Sequence, residues 1–466
     1  MLTKQSDQGR EQIQYASVEM LIPKDHLLRQ IEETVDFDFI YPLVEEMYSL
    51  DKGRPGIDPV VLVKIVLIQY LYGIRSMRKT IEEIQYNVAY RWFLGYDLYK
   101  TPPHFSTFGK NYKRRFEGTD LFERIFAHVL ELCFGRGFAR EEALFVDATH
   151  MKASANKHKK MKKEVARQAK NYHQELLEEI NRDREAHDKE AFDDDPPSGT
   201  ASVTKSITDP DSGMFVKGEH KRDFAYSIQT ACDRNGFVLA YDVSAGNVHD
   251  SVSFDGLYQK LKGFNPLRLV MDAGYKTPAI MRKLLSDGIL PVTPYTCPKT
   301  DKAFFKKYEY VYDEYYDCYI CPENKVLPYS TTNREGYQEY KSRSYICEQC
   351  PSLTQCTRSK GHTKVLTRHV WSKYMEQADH IRYMEGVKEL YAKRKETIER
   401  VFADAKEKHG FRYTQYRGKA KVKMEVAMTY TAMNMKKLAR WVAGLFTPIF
   451  NTIFIYRKRI RAASPA

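Results

Sequence analysis

The sequence predicts a mixed α/β protein that begins with an all-helical part and carries a small cysteine-rich insertion. Three observations lead to this fold class. Helical patterns fill the first 140 residues, strand-like apolar runs alternate with helical stretches from residue 143 onward, and five of the eight cysteines fall between Cys318 and Cys356. Strands that alternate with helices are typical of α/β domains, because helices cover the faces of the sheet.

Length, composition and charge narrow the class of protein. A chain of 466 residues with 42% hydrophobic content can form two or three domains with substantial cores, which excludes wholesale disorder. Lysine and arginine number 74 against 61 acids, and the net charge of +13 favours a polyanionic partner such as nucleic acid. The first ten residues lack the apolar core of a signal peptide, and the apolar stretch 441–456 is interrupted and too short to span a bilayer. We therefore expect a soluble cytoplasmic protein that ends in a packed helix and a basic tail.

The N-terminal part is predicted to contain short helices joined by turns. Residues 60–74 are apolar on nearly every side, which predicts a buried helix with Asp58 as its cap. A second helix is predicted over residues 77–94, and Ser106 or Thr107 can cap a third. Because the third helix is basic, the arrangement resembles a helix-turn-helix and predicts DNA binding. Its four cations are Lys110, Lys113, Arg114 and Arg115.

The remaining chain alternates between strands and helices. Residues 152–222 are densely charged and are predicted to be a partly mobile insertion. A hairpin is predicted where Asn235-Gly236 separates two apolar runs, because this dipeptide favours a tight turn. Further predicted elements are a helix over 251–262, strands over 267–272 and 289–295, and one long helix over 371–409.

Two aspartates and a helical glutamate are the candidate catalytic residues. Asp147 and Asp272 each end a short apolar run and precede small residues. Acids at the carboxyl ends of neighbouring strands can bind hard divalent cations, which require oxygen ligands. The long helix offers a third acid, and its periodicity alone leaves Glu396 and Glu399 as alternatives.

Several motifs in the same order resemble the DDE transposases of bacterial insertion sequences, whose catalytic domain has the ribonuclease H-like fold. GRPGIDPVVLVKIVLIQYLYGI and HFSTFGKNYKRR resemble the family's N-terminal helical domain. LFVDATHMKASAN and VMDAGY resemble the two aspartate motifs, and VSAGNVHDS resembles the loop after the third strand. ETIERVFADAKEKHGFRYTQYRG resembles the glutamate helix, which assigns the third acid to Glu399 and its partner lysine to Lys406.

The sequence departs from the family pattern at several positions. Related elements often carry Tyr and Arg seven and four residues before the glutamate, where this chain has Ala392 and Lys395. Tyr391 and Arg394 are the nearest residues of those types. His249 and Asp250, in the loop after the third strand, are expected to be turn residues, with metal or substrate contact as the alternative.

The resemblance implies metal-dependent DNA cleavage at element ends, followed by strand transfer into target DNA. Asp147, Asp272 and Glu399 would hold two Mg²⁺ (or Mn²⁺) ions, and Lys152 and Lys406 would contact phosphate. The expected partner is double-stranded DNA, both terminal inverted repeats and target, bound by a homodimer. The alternatives are a catalytically inactive DNA-binding descendant of a transposase and a plain ribonuclease H-like nuclease.

The cysteine cluster predicts a structural zinc site. Cys318, Cys321, Cys347 and Cys350 form two CxxC pairs, and this spacing suits four-coordinate zinc. The family resemblance instead implies a set in which Cys318 is spare: Cys321, Cys347, Cys350 and Cys356. Reduced thiols without metal are the alternative.

These observations predict three regions. Residues 1–140 form the helix-turn-helix-like domain, residues 141–440 form the ribonuclease H-like catalytic domain, and residues 441–466 form the C-terminal helix and basic tail. The catalytic domain is interrupted by the charged insertion 152–222 and by the cysteine-rich insertion 296–370.

Overall fold

The computed structural model describes residues 12–49, 56–166, 172–193, 200–217, 221–296 and 303–462. Outside the description lie residues 50–55, which include the first three residues of the motif GRPGID, together with parts of both predicted insertions and the last four residues. No helix among the described residues combines the length and the apolarity that crossing a bilayer requires.

The N-terminal part is helical, as predicted. Its helices within the described residues are α1 (Val18–Leu21), α2 (Leu27–Thr34), α3 (Ile40–Val44), α4 (Pro59–Leu71), α5 (Met77–Tyr86), α6 (Val88–Phe93), α7 (Ser106–Asn111) and α8 (Leu121–Gly135). Asp58 caps the buried α4 by accepting a 2.8 Å hydrogen bond from the Val60 N–H, which confirms the predicted start. The single helix predicted over 77–94 is wrong, because Asn87 is extended and its side chain caps a separate helix, α6.

The described strands that follow form one mixed sheet of eight. They are β1 (Ala143–Lys152), β2 (Lys160–Ala166), β3 (Thr200–Ser206), β4 (Gly213–Lys217), β5 (Lys221–Cys232), β6 (Val238–Ala245), β7 (Arg268–Val270) and β8 (Leu290–Val292). The order across the sheet is β2-β3-β4-β5-β1-β7-β8, and β6 pairs with the second half of β5. β1 is antiparallel to β5 and parallel to β7, so the mixed α/β prediction is confirmed.

The charged segment 152–222 contributes to this sheet. Within its described residues it supplies β2, β3 and β4 as well as helix α9 (His173–Ala186). The antiparallel register places Lys160 opposite Ser206, and β4 connects this pair of strands to β5. The prediction of an insertion outside the sheet missed these strands because lysine-rich sequences carry little apolar alternation.

A second, antiparallel sheet lies within the predicted cysteine-rich insertion 296–370. Its strands run in the order β13-β12-β11-β10-β9. They are β9 (Val311–Asp313), β10 (Cys318–Ile320), β11 (Val326–Thr332), β12 (Tyr337–Lys341) and β13 (Val365–His369), with short helices α12 (Ser344–Cys347) and α13 (Leu353–Cys356) between β12 and β13. The sheet has a small core of its own, formed by Tyr310, Tyr319, Leu327, Tyr340 and Leu366.

The long helix predicted over 371–409 is divided in the structure. Two helices, α10 (Asp250–Leu261) and α11 (Pro278–Ser286), precede the second sheet, and α14 (Ser372–Ile381), α15 (Val387–Ala392) and α16 (Ile398–Lys408) follow it. Gly386 has a φ of +74°, a left-handed conformation that cannot continue a right-handed helix, so α15 begins after it as a helix separate from α14. Thr397, at φ −108° and ψ −97°, separates α16 from a 3₁₀ turn over Lys393–Lys395.

The C-terminal helix joins the N-terminal helices to the sheet. This helix, α17 (Lys419–Ala462), begins well before the predicted residue 441 and packs against α2, α4, α8 and β6. The end of α16 also contacts α4, because the buried His409 donates from Nδ1 to the Tyr70 carbonyl at 2.7 Å. One apolar core therefore continues from the N-terminal helices through the sheet.

Candidate functional site

The two candidate catalytic aspartates leave neighbouring parallel strands at the same level. β1 and β7 pair up to Phe145 and Val270, and Asp147 and Asp272 lie two residues beyond this last pair. β1 itself continues to Lys152, paired with β5 and bridged at Lys152 to Tyr413, so Asp147 lies within a strand rather than at its end. Asp272 begins a 3₁₀ turn and accepts a 2.8 Å hydrogen bond from the Gly274 N–H. Parallel pairing thus brings both carboxylates to one edge of the sheet.

Asp147 is the most strongly perturbed member of this acidic site. Burial raises its pKa to about 6, although the Arg394 charge and the Ala148 N–H oppose the rise, and the nearby Asp272 charge adds to it. The Nη2 atom of Arg394 lies 2.6 Å from Oδ2 of Asp147. Both side chains are largely shielded, with 9% of Arg394 and 20% of Asp147 exposed. A buried acid with a raised pKa and a specific charge partner is typical of a functional site.

Tyr391 and Arg394, the two residues that stand off the family spacing, converge on this site. Arg394 Nη1 lies 3.5 Å from the Tyr391 hydroxyl, while Nη2 contacts Asp147. The 3₁₀ turn over Lys393–Lys395 places the guanidinium beneath the sheet edge, where the residue is buried. Sequence spacing did not predict this contact because it depends on the break before α16.

Glu399 lies only five residues after Arg394 in the chain, but its carboxylate does not join the two aspartates in a metal-binding cluster. It lies in the first turn of α16, and the buried side chains Ile398, Val401 and Phe402 hold that helix against β1 and β5. The side chains of Glu399 and Glu396 are both exposed, and neither forms an ion pair within the described residues. Among those residues, no group of three or more His, Cys, Asp or Glu side chains is arranged to hold a metal ion.

Asp250 is a third carboxylate at the site. Its Oδ1 accepts a 3.1 Å hydrogen bond from Nε2 of the buried Gln229, whose Oε1 accepts from the Tyr275 hydroxyl. Burial raises the pKa of Asp250, and the charge of Asp272 raises it further. His249, in contrast, caps α10, and its Nδ1 accepts a 3.2 Å hydrogen bond from the Ser251 N–H. A buried glutamine within the strand-like run of β5 was the sequence signal for this network.

The two predicted phosphate-contact lysines have partners within the protein. Lys152 Nζ lies 3.0 Å from Asp223 Oδ1 and lies over the ring of Tyr413. Lys406 is partly buried on α16, and its Nζ lies 6.0 Å from the centre of the Phe402 ring. Asp223, on β5, therefore balances the charge of Lys152.

The predicted DNA-recognition helix is short and exposes most of its cations. α7 begins at Ser106 and continues into a single π turn over Tyr112–Phe116. Phe105 occupies the capping position, so neither Ser106 nor Thr107 caps the helix as predicted. Three of the four predicted contacts are exposed: Lys110, Lys113 and Arg114. Arg115 is partly buried, donates to Asn111 and lies over the Tyr48 ring at 4.3 Å.

Four of the clustered cysteines line one pocket of the second sheet. Cys321, Cys347, Cys350 and Cys356 surround a cavity of about 30 Å³, room for a single ion or water. Cys318 is buried in β10 and does not line this pocket. The Lys325 N–H donates to Cys321 Sγ at 3.3 Å, and the Tyr310 hydroxyl lies 3.2 Å from Cys356 Sγ. The seven cysteines that the structure describes are free thiols.

Comparison with known proteins gives two family matches. Residues 16–114 match a transposase domain, and residues 320–439 match a transposase DDE domain. The first match contains the basic helix, the second contains the cysteine pocket and Glu399, and Asp147 and Asp272 lie between them. Comparison with curated proteins and with solved structures gave no significant match. Both matched regions are transposase domains, and together they indicate an insertion-sequence DDE transposase.

Proposed function

We propose that the protein cleaves DNA at the ends of its element and transfers the freed strand into target DNA. The observation that carries this proposal is the placement of Asp147 on β1 and of Asp272 directly after the adjacent parallel strand β7, with Asp147 largely shielded and paired to Arg394. Two carboxylates with a single protein cation, Arg394, beside them leave negative charge that is not balanced. Such a site suits the binding of further positive charge. The matched transposase families support the reaction class.

The donor atoms at this site fit hard divalent cations. Asp147 and Asp272 supply carboxylate oxygens, which Mg²⁺ and Mn²⁺ prefer. We infer that Glu399 completes the set from the first turn of α16, five residues after Arg394. When bound there, two such ions would neutralise phosphate charge, activate the attacking oxygen and stabilise the leaving oxygen.

The protein's own groups then position the reacting strand. In the first step a water oxygen attacks the phosphorus, the bond from phosphorus to O3′ breaks, and the leaving oxygen takes up a proton to become a 3′-OH. In the second step this 3′-OH attacks a phosphorus of the target strand and gives up its proton, the bond from that phosphorus to its own O3′ breaks, and the leaving O3′ takes up a proton. Arg394 favours the ionised form of Asp147, and Gln229 donates a hydrogen bond that orients Asp250 at the same site.

The order of the central strands supports the ribonuclease H-like assignment. β5 is antiparallel to both of its neighbours, β6 and β1, and β7 and β8 continue the sheet in parallel with β1. The first aspartate is on the central strand, the second follows the neighbouring strand, and the glutamate helix packs against β1 and β5. We assign this catalytic domain to residues 141–440, in which the charged segment 152–222 supplies outer strands of the sheet and the insertion 296–370 carries the second sheet.

We further propose that Cys321, Cys347, Cys350 and Cys356 bind one structural Zn²⁺. Their shared pocket favours this set over the alternative that contains Cys318. The Lys325 N–H donates to Cys321 Sγ, and the Lys364 ammonium donates to the Cys356 carbonyl at 2.9 Å. These hydrogen bonds orient the loops around the pocket. A closed four-cysteine site stabilises a small sheet and leaves catalysis to the acidic site.

Recognition of the element ends is assigned to residues 1–140. The exposed Lys110, Lys113 and Arg114 project from one short helix, which suits contact with a duplex. Two inverted ends are expected to be bound by a homodimer.

Cleavage of candidate element ends tests the proposed function. The full chain is incubated with end-labelled duplexes that carry the terminal repeats or scrambled sequences, with Mg²⁺ or with a chelator. We expect Mg²⁺-dependent release of a 3′-OH at the repeat and joining to an added target duplex. Cleavage without joining would indicate a nuclease, and binding of the repeats without either reaction would indicate a DNA-binding descendant of a transposase.

A further inference from the structure

A run of exposed lysines follows the outer edge of the catalytic sheet. We name it the β2 lysine strip, and it consists of Lys157, Lys159, Lys160, Lys162 and Lys163. Residues 156–163 are all exposed, and the strip leads into β2, whose one described sheet partner is β3. None of the five lysines forms an ion pair within the described residues. Glu164 is the one acid in the segment 152–166.

The acids of the neighbouring turn do not neutralise the strip. Asp209 is fully buried, where it accepts hydrogen bonds from the Tyr226 hydroxyl at 2.9 Å and from the Gly418 N–H at 3.0 Å. Asp211 accepts a 2.9 Å hydrogen bond from the Lys419 N–H. Both carboxylates are therefore engaged with the segment before α17, and the positive charge of the strip faces solvent.

The backbone beneath the strip is ordered by its own hydrogen bonds. The Lys159 carbonyl accepts from the Ile207 N–H at 3.0 Å, and the Asn156 N–H donates to Thr208 Oγ1 at 3.0 Å. The Lys159 N–H also donates to the Asn156 carbonyl. The lysine stems thus project from a fixed edge, which reduces the entropy lost when they meet a ligand.

The strip belongs to the same sheet as the candidate catalytic aspartates. One row of strand pairs connects Lys152 of β1 to Ala225, Gly213, Lys205 and then Met161 of β2. Four strand spacings separate β1 from β2, which amounts to about 19 Å. Lys205, opposite Met161, extends the positive charge one strand toward the site. A duplex that reaches the aspartates can therefore also lie along the strip.

Lysines on an edge strand have a second use, since they prevent sheets from pairing edge to edge. A single charged side chain can serve that purpose, and five lysines within seven residues exceed it. Lysine contacts phosphate as a flexible point charge and lacks the fork with which arginine reads guanine. The strip therefore suits a duplex bound without regard to sequence, which is what a target site requires.

We propose that the β2 lysine strip binds the phosphate backbone of target DNA beside the catalytic aspartates, without sequence selectivity. This inference rests on the proposed function, because it assigns one of the two DNA partners of that reaction to a surface. Element ends remain the ligand of the N-terminal helices.

Salt titration of duplex binding tests the strip. The full chain is compared with a double variant, Lys160→Gln with Lys162→Gln, and with a quadruple variant that adds Lys159→Gln and Lys163→Gln. Affinity for a random duplex is measured without Mg²⁺ over a range of NaCl concentrations. We expect weaker binding and a plot of log affinity against log salt that is shallower by about 0.9 for each phosphate that the variant no longer neutralises. The matched control replaces two exposed lysines elsewhere, Lys189→Gln with Lys388→Gln, and should leave the slope unchanged.

A second readout assigns the bound DNA. With pre-cleaved element ends, the quadruple variant should show a lower yield of joining to random target, relative to its yield of end cleavage, than the control. Unchanged slope in the quadruple variant, or equal loss in the control, would overturn the proposal. Oligomerisation without any change in DNA affinity would show that the strip protects the sheet edge instead. Lower affinity with an unchanged ratio of joining to cleavage would disprove the target assignment.

The binding measurement is independent of catalysis. A chain that never cleaves DNA but loses salt-dependent duplex affinity on lysine replacement would refute the proposed reaction and retain the strip as a DNA surface. A chain that cleaves and joins normally in the quadruple variant would refute the strip and retain the reaction.

Discussion

Arg394 and Asp147 form an ion pair of 2.6 Å between residues that are 247 positions apart in the chain. The pair connects the 3₁₀ turn before α16 to the central strand of the sheet, and both partners are shielded from solvent. It fixes the segment that leads to Glu399 against the strand that carries the first aspartate. The acidic site is therefore organised by a cation of the protein itself.

Replacing each proposed metal-binding acid by its amide should abolish cleavage. Asp147→Asn, Asp272→Asn and Glu399→Gln each keep the side-chain shape and remove a charged ligand, so we expect rate losses of several orders of magnitude. Circular dichroism and terminal-repeat binding should be nearly unchanged. The measurement is the rate of Mg²⁺-dependent end cleavage.

Glu396→Gln is the matched control on the same segment. Glu396 is exposed like Glu399 but lies before the start of α16. It should retain cleavage close to the wild-type rate. Normal cleavage by Glu399→Gln together with an inactive Glu396→Gln would move the third acid to Glu396.

Stability should depend on pH through Asp147. Because its folded pKa is raised from 3.8 to about 6, the folded protein keeps this proton over a range in which the unfolded chain has lost it. Rising pH therefore destabilises the wild type between about pH 4 and 6, by up to about 3 kcal/mol, while Asp147→Asn lacks this contribution. Urea denaturation with a chelator present measures the difference at several pH values. Parallel curves for the two proteins would contradict the assignment.

Removal of the Arg394 charge should shift the pH dependence of cleavage. Arg394 lowers the pKa of Asp147, so Arg394→Gln should raise this pKa further above its usual value. The acid limb of the pH–rate profile should move to higher pH, and activity should recover in part at alkaline pH. A uniform loss at every pH would mean that Arg394 acts only through structure. Tyr391→Phe, which keeps the charge pair, should leave the limb near its wild-type position.

Zinc content should distinguish the spare cysteine. We expect about one tightly bound Zn²⁺ per chain, purified under reducing conditions and measured by elemental analysis. Cys356→Ser should lose the metal, because Cys356 lines the shared pocket, whereas Cys318→Ser should retain it. The reverse result would support the set given by the two CxxC pairs. Purified wild type without zinc would reject the site.

The basic helix of the N-terminal part should determine the preference for element ends. Arg114→Ala with Arg115→Ala should reduce binding to terminal-repeat DNA much more than binding to random DNA. Lys159→Ala with Lys160→Ala should weaken both DNAs by similar factors, because backbone contacts carry no sequence information. Because Arg115 also packs on Tyr48, Lys113→Ala with Arg114→Ala provides a variant confined to exposed side chains. Equal losses on the two DNAs for both helix variants would reduce this helix to a general phosphate contact.

Local patterns determined much of what the sequence predicted correctly. The apolar α4, its Asp58 cap, the turn at Asn235-Gly236 and the helix after His249 each depend on neighbouring residues, and each is present in the structure. The repeated design of an apolar run followed by aspartate marked two neighbouring strands, although Asp147 lies within β1 and only Asp272 follows the end of its strand. Such features depend on periodicity and turn chemistry within a few residues, which a single sequence displays directly.

Tertiary structure decided the contacts between distant segments. The sequence did not predict that Arg394 would pair with Asp147, that Asp223 would pair with Lys152, or that the lysine-rich segment would form an edge strand. It left two sets of cysteines open, and only the packing of the second sheet shows which four share a pocket. The break at Thr397, which brings the Arg394 turn to the sheet, was likewise hidden in a continuous helical pattern. These contacts depend on how elements that are far apart in the chain pack together. A local pattern of residues does not reveal which distant segments will meet.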